Sequence, residues 1–318
     1  MSLPNEPRGP EQGFLSVLMG DGRPLLFAVA GSLVFAGGFA IFLAATGQLL
    51  PHDSAYLGMN SDQLCAVASC RIVDFMVHDR ASFGGTLAGM GILYAWLVAF
   101  PLSRREPWAW WALAVSGAVG FLTFLGYLGY GYLDTWHGIG TLLLMPVFAT
   151  GMYRTRAVMT GTSPSSLLRV GDWSSPRTRP MLGRLVLLGG ALATLGGGLL
   201  ILRVGLGDTF VAEDLTFMRL DARAIRAVSP HLVPLLAHDR VGFGGGVVTM
   251  GLTTAMCLWC SGFSRHLHQA VGLAGVVSLG AALTVHFAVG YTNPWHLAPP
   301  LVAAACLVIG LALQRRSG

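Results

Sequence analysis

Apolar residues run through this chain in long uninterrupted stretches. Eight stretches, near 23–46, 82–102, 108–132, 136–153, 182–206, 241–262, 267–290 and 295–313, reach the length of about 18 residues or more at which a membrane-crossing helix becomes the first reading. Such uniform runs exclude the in-out alternation of a membrane β-barrel. Lipid offers the backbone no hydrogen bonds, so each run must close its own as a helix. The first run is longer than the apolar core of about 7–15 residues typical of a signal peptide, and it has a counterpart in the second half of the chain, so it reads as a retained span.

The polar residues that interrupt this pattern repeat. "VHDRASFGGTLAGMG" begins at Val77 and "AHDRVGFGGGVVTMG" at Ala237, an offset of 160 (237 − 77). "GYLDTWHGIG" from Gly131 matches "GYTNPWHLAP" from Gly290 at an offset of 159 (290 − 131), and Asp53 and Asp214 hold similar places ahead of each tripeptide. The expected fold is therefore all-α: eight transmembrane helices as two tandem four-helix units of the same topology, related by a pseudo-twofold axis along the membrane normal. The divisions are a cytoplasmic N-terminal segment over 1–21, a first unit over 22–153, a Pro/Ser/Arg-rich cytoplasmic linker over 154–181 and a second unit over 182–318. Ahead of the first tripeptide, Arg71, Asp74 and His78 fall at i, i+3 and i+7 of an otherwise apolar stretch, which predicts a separate helix lying at the membrane surface. Pro230 and Pro234 predict a less regular second copy.

Composition agrees with the membrane reading. Hydrophobic residues make up 53% and charged residues 11%, with a mean hydropathy of +0.63, where a soluble domain carries about 25% charged residues. All 20 basic residues are arginines. With eight spans, 13 of them (Arg8, Arg23, Arg104, Arg105, Arg154, Arg156, Arg169, Arg177, Arg179, Arg184, Arg265, Arg315 and Arg316) fall on the side of both termini. The positive-inside rule makes that side cytoplasmic, in the plasma (inner) membrane, and puts both tripeptides on the extracytoplasmic face. These arginines account for the net charge of +5, so no nucleic-acid partner is needed to explain it. Without lysine, cofactors bound as Schiff bases are excluded.

Candidate chemistry gathers on that face. His78, Asp79, Arg80, His238, Asp239 and Arg240 are the candidate catalytic residues. His78, Asp134, His137, His238 and His296 are candidate ligands for a metal ion such as zinc or iron, with carboxylates beside the histidines to orient the rings. Tyr127, Tyr132, Tyr291 and His286 offer an amphipathic lining for a cofactor or a lipid-soluble ligand. Three readings stay open: helix caps and ion pairs with a structural part only, a metal or redox site, and a site for an anionic or amphiphilic ligand such as a lipid headgroup or a quinone. Candidate partners are membrane lipid, a quinone or other lipid-soluble small molecule, and other membrane subunits. Transport ranks lower, because the span centres carry hydroxyls and no charge. Cys65 and Cys70 can bond only if the helix between them breaks, while Cys257 and Cys260 read as packing.

Cysteines introduced near Asp53 and Glu213 should react with a membrane-impermeant maleimide in intact cells, and cysteines placed in 154–181 should not. Labelling of the linker from outside would reverse the orientation.

Overall fold

The two helices that carry the tripeptides are the two most deeply buried of the long apolar ones. The computed structural model describes residues 19–126, 132, 135–157, 159, 161, 163–173 and 179–314, the side chains of 124–126 and 135–137 excepted. It is 82% helical and, among the described residues, has no strand. The first half runs α1 (Arg23–Thr46), α2 (Pro51–Leu57), α3 (Ser61–Val67), α4 (Arg71–Ala99), α5 (Pro107–Gly126) and α6 (Thr135–Ala157). The second runs α7 (Arg179–Leu206), α8 (Ala212–Met218), α9 (Ala222–Val228), α10 (Leu232–Cys260), α11 (Arg265–Ala288) and α12 (Pro294–Gln314). Six of these, α1, α4, α7, α10, α11 and α12, are long and apolar enough to cross a membrane. The other two long helices, α5 and α6, stand where the third and fourth spans are expected.

Burial sorts the six by polarity. The most apolar windows of α4 and α10 are the least hydropathic, 1.4 and 1.5, and are 83% and 67% buried. The remaining four are more hydropathic and only 11% to 28% buried, with side chains such as Phe35, Phe42 and Val308 on the outside. This is the order expected in lipid, where polar groups must face protein and apolar surface can face hydrocarbon.

Packing recurs in corresponding pairs. α1 lies on α4 and α6 as α7 lies on α10 and α12. α4 and α10 meet at the centre, and each takes the third long helix of the other half, α4 against α11 and α10 against α5. Glycines permit the closest approaches: a Cβ on Gly91 would lie 2.6 Å from the Ala30 carbonyl oxygen, and one on Gly251 2.5 Å from the Leu195 nitrogen. Such small-residue contacts replace the missing hydrophobic drive between helices in a membrane.

The short helices form a lid over one end. α2 and α8 each carry an acid at their third residue, Asp53 and Asp214, whose carboxylates accept from the backbone N–H of Leu50 (3.3 Å) and Val211 (2.8 Å). Leu57, Leu64, Phe217, Met218 and Ile225 from this lid bury against Ile72, Phe75, Met76 and Leu235.

Residues 71–80 do not form a separate surface helix. They are the first turns of α4, which runs unbroken over 29 residues, with the Arg71 guanidinium 5.0 Å from the centre of the Phe217 ring in the lid and His78 buried against His286 of α11. α10 is equally regular, because Pro234 falls in its first turn, where its missing N–H is not needed. Cys65 and Cys70 are bonded, and the helix does break between them, with Ser69 and Cys70 at φ 50 and 63 ahead of α4.

Gly198→Ala places a methyl 2.5 Å from the Val248 nitrogen, whereas Gly196 has open space around it. In detergent, Gly198→Ala should lower the thermal midpoint by an amount matching overpacking of about 1–3 kcal/mol. Gly196→Ala should leave it unchanged or raise it slightly.

Candidate functional site

Where α4 and α10 meet beneath the lid, the two tripeptides pair crosswise. Arg80 Nε donates to Asp239 Oδ2 at 3.3 Å, and Arg240 Nε donates to Asp79 Oδ2 at 3.3 Å. Each guanidinium then reaches the lid acid of its own half, Arg80 Nη2 to Asp53 Oδ2 at 2.5 Å and Arg240 Nη1 to Asp214. Tyrosines complete the set: Tyr291 Oη donates to Asp214 Oδ1 at 2.7 Å and Tyr132 Oη to Asp53. Burial and the Asp214 carboxylate hold the Tyr291 phenol above its ordinary pKa, so it stays a donor. The Arg240 guanidinium also lies 4.7 Å from the centre of the Phe75 ring.

Asp79 and Asp239 are therefore no helix caps. Both lie inside regular helices, eight residues from the first residue of α4 and seven from that of α10. Each instead joins an arginine of the other half to the histidine beside it, His78 Nδ1 to Asp79 Oδ1 at 2.9 Å and His238 Nδ1 to Asp239 Oδ1 at 3.1 Å. The ring holds four carboxylates and two guanidiniums, so with neutral histidines it carries a net −2 (−4 + 2).

A second feature grows from His78. Its Nε2 lies 3.1 Å from Nε2 of His286 on α11, and His296 at the start of α12 joins them, with one ring nitrogen of each residue within 4.8 Å of the others. His286 Nδ1 is 2.6 Å from the Ala282 carbonyl oxygen. Carbonyls and carboxylates only accept, so both Nδ1 atoms carry a proton, and in the neutral rings both Nε2 atoms present lone pairs to each other. At 3.1 Å that contact is repulsive unless a proton or a metal ion lies between them. Two nitrogens bound to one ion at about 2.0–2.1 Å with a tetrahedral angle are about 3.3–3.4 Å apart. His296 stacks on Tyr291 (centroids 4.0 Å, 15°), which stacks on Phe217 (4.4 Å, 15°), so the ring-bound tyrosine also orients the third histidine.

The two halves correspond only in part. Tyr132 meets His238 edge-on at 5.0 Å as Tyr291 meets His78 at 5.4 Å. Tyr127 and Asp134, and the side chain of His137, lie outside the described residues. Among the candidate ligands, the structure brings His78 together with His296, and it adds His286, which the sequence offers only as lining. His238 belongs to the ion-pair ring on the other side. Asp53 and Asp214 close the ring without having been singled out as site residues. Their signal was available in their matched places ahead of the two tripeptides. Comparison of the chain with known protein families, with curated proteins and with solved structures found no match.

Asn in place of Asp79 keeps the shape and loses the charge that holds Arg240 and the His78 proton. Removing one partner of a buried pair costs about 3–5 kcal/mol, so Asp79→Asn should lower folded yield nearly as far as Asp79→Ala. Normal yield of the Asn variant with loss only in the Ala variant would reduce the ring to neutral hydrogen bonding.

Proposed function

We propose that this chain is a plasma-membrane protein of eight spans, two fused four-helix units about a pseudo-twofold axis, which binds a divalent transition-metal ion at His78, His286 and His296. The observation that carries this reading is the pair of Nε2 atoms 3.1 Å apart, each ring fixed by an acceptor on its own Nδ1, so that in neutral rings two lone pairs face each other. The ring's net −2 beside them favours a dication. Three imidazoles suit zinc or iron and leave a coordination position open. A metal so held supplies a Lewis acid, or a bound water made acidic near neutral pH.

The chain's own residues set up the rest. Asp79 orients the His78 ring and holds its Nδ1 proton, Ala282 does the same for His286, and Tyr291 fixes the plane of His296. Arg240 keeps the Asp79 carboxylate aimed at His78. With both termini cytoplasmic, the site opens at the extracytoplasmic boundary, where a quinone or another lipid-soluble molecule can reach it. A second reading is a non-catalytic subunit of a larger membrane complex. It draws on the crosswise ion pairs, which would hold the halves together with no ligand at all.

Protein purified without chelator should contain about one zinc or iron per chain by elemental analysis. His286→Ala and His296→Ala should lose it, and His268→Ala, at the opposite end of α11, should keep it. Asp79→Asn, where it folds, should weaken binding roughly 10–100-fold. Metal-free wild-type protein that gains no metal on dialysis against zinc or ferrous ion would sink the metal reading, leaving a proton shared between the two rings and the structural part.

A further inference from the structure

The three histidines are not supported alike. His78 and His286 each have an acceptor on Nδ1, Asp79 Oδ1 at 2.9 Å and the Ala282 carbonyl oxygen at 2.6 Å. Among the described residues, no hydrogen bond reaches the ring of His296; its one bond of this kind comes from its backbone N–H. A ligand ring must be turned so that one nitrogen points at the ion, and a bond to the other nitrogen normally fixes that turn. For His296 the turn is fixed by stacking instead. Its ring lies on Tyr291 (centroids 4.0 Å, 15°), Tyr291 lies on Phe217 (4.4 Å, 15°), and the Arg71 guanidinium sits over the Phe217 ring at 5.0 Å.

The column is assembled from three separate segments. Arg71 is the first residue of α4, Phe217 belongs to the lid helix α8, and Tyr291 lies in the turn ahead of α12. Phe217 follows Asp214 by three residues (217 − 214), so both stand on one face of α8. The lid helix therefore grips Tyr291 at two points: the Asp214 carboxylate accepts its hydroxyl at 2.7 Å, and the Phe217 ring covers it. Phe217 and Tyr291 are both buried. Offset-stacked rings share the direction of their planes, so the tilt of the lid ring is passed through Tyr291 to His296.

The first half builds the same column with different members. Tyr56 follows Asp53 by three residues (56 − 53) on α2 and meets Tyr132 at 4.4 Å. His231, which replaces Arg71 at the repeat offset of 160 (231 − 71), meets Tyr56 at 4.5 Å. There the rings are tilted, by 34° and 52°, where both ring pairs of the second column are within 15° of parallel. The arrangement thus belongs to the repeat. Near-parallel packing and a permanent cation belong to the column that ends on His296.

We infer that Phe217 and Arg71 are positioning residues of the three-histidine site, which hold the ring of His296 through Tyr291 and so make the lid helix α8 part of the support of the third ligand. That His296 is a ligand rests on the metal reading; the hold on its ring does not. By linkage the coupling runs both ways: what the lid adds to metal affinity, a bound metal returns as stability of the closed lid.

The probe is cobalt(II), titrated into metal-free full-length protein in detergent, with its visible absorption read for affinity and geometry. Phe217→Leu should weaken binding about tenfold, as when an outer partner of a ligand is lost, and should alter the spectrum. Phe217→Tyr, which copies Tyr56, should keep both. Tyr56→Leu removes the matching ring from the other lid helix and should change neither. Diethylpyrocarbonate gives a readout without metal. In metal-free protein, Phe217→Leu should raise carbethoxylation of His296 severalfold, mapped by peptide mass spectrometry, and leave His268 as it was. Arg71→Met, at a half-buried position, should move His296 the same way by less, and it decides the outcome if Phe217→Leu does not fold. Unchanged His296 reactivity in these variants, or an equal change from Tyr56→Leu, would overturn the inference, as would an unchanged cobalt affinity and spectrum in Phe217→Leu where the wild type binds cobalt. Wild-type protein that takes up neither cobalt nor zinc removes the metal reading, and His296 reactivity then decides the column by itself.

Discussion

Four carboxylates and two guanidiniums are buried together near the end of a helical bundle, and the rest of the architecture follows from the need to pair them. On a helix each residue turns about 100° from the last, so His78, Asp79 and Arg80 fan over about 200°. A helix with one face toward lipid could not bury all three. α4 therefore has to be enclosed, and the same holds for α10 with His238, Asp239 and Arg240. The central position of these two helices, and the banishment of the more apolar ones to the periphery, is the consequence. Their lower hydropathy is an effect of the same constraint.

The pairing is also what makes one body of the two halves. Neither half satisfies its own tripeptide. Asp79 needs Arg240 and Asp239 needs Arg80, while the lid acids Asp53 and Asp214 supply the remaining bonds within each half. A half alone would leave a buried carboxylate without its guanidinium, a loss of about 3–5 kcal/mol. The exchange of α5 and α11 across the centre adds apolar packing to the same union.

The all-helical character and the six long apolar helices were legible in the sequence, because long apolar runs are local signals. The start of α4 was not. Arg71, Asp74 and His78 look like a water-facing stripe at helical spacing, and periodicity cannot tell water from neighbouring protein. The ion-pair ring was half legible: the tripeptides and the matched aspartates are visible, but crosswise pairing is a property of the assembled bundle. The cluster of histidines was least legible. His78 and His286 are 208 residues apart (286 − 78) with no motif to join them, and only the exchange of α11 onto α4 brings their Nε2 atoms to 3.1 Å.

Symmetry separates what holds the molecule from what it does. The ring is nearly the same in both halves, down to the histidine on each aspartate and the tyrosine on each lid acid. The feature that suggests chemistry breaks the correspondence: His286 stands where the first half has Tyr127. A paired ring tolerates little change, since each member answers to a partner in the other half. Positions one layer further out answer only to their own surroundings. Histidine can replace tyrosine at the end of α11 without unpairing any charge. The symmetric ring is then the fixed frame, and the second half's departures from symmetry are where a ligand should be sought.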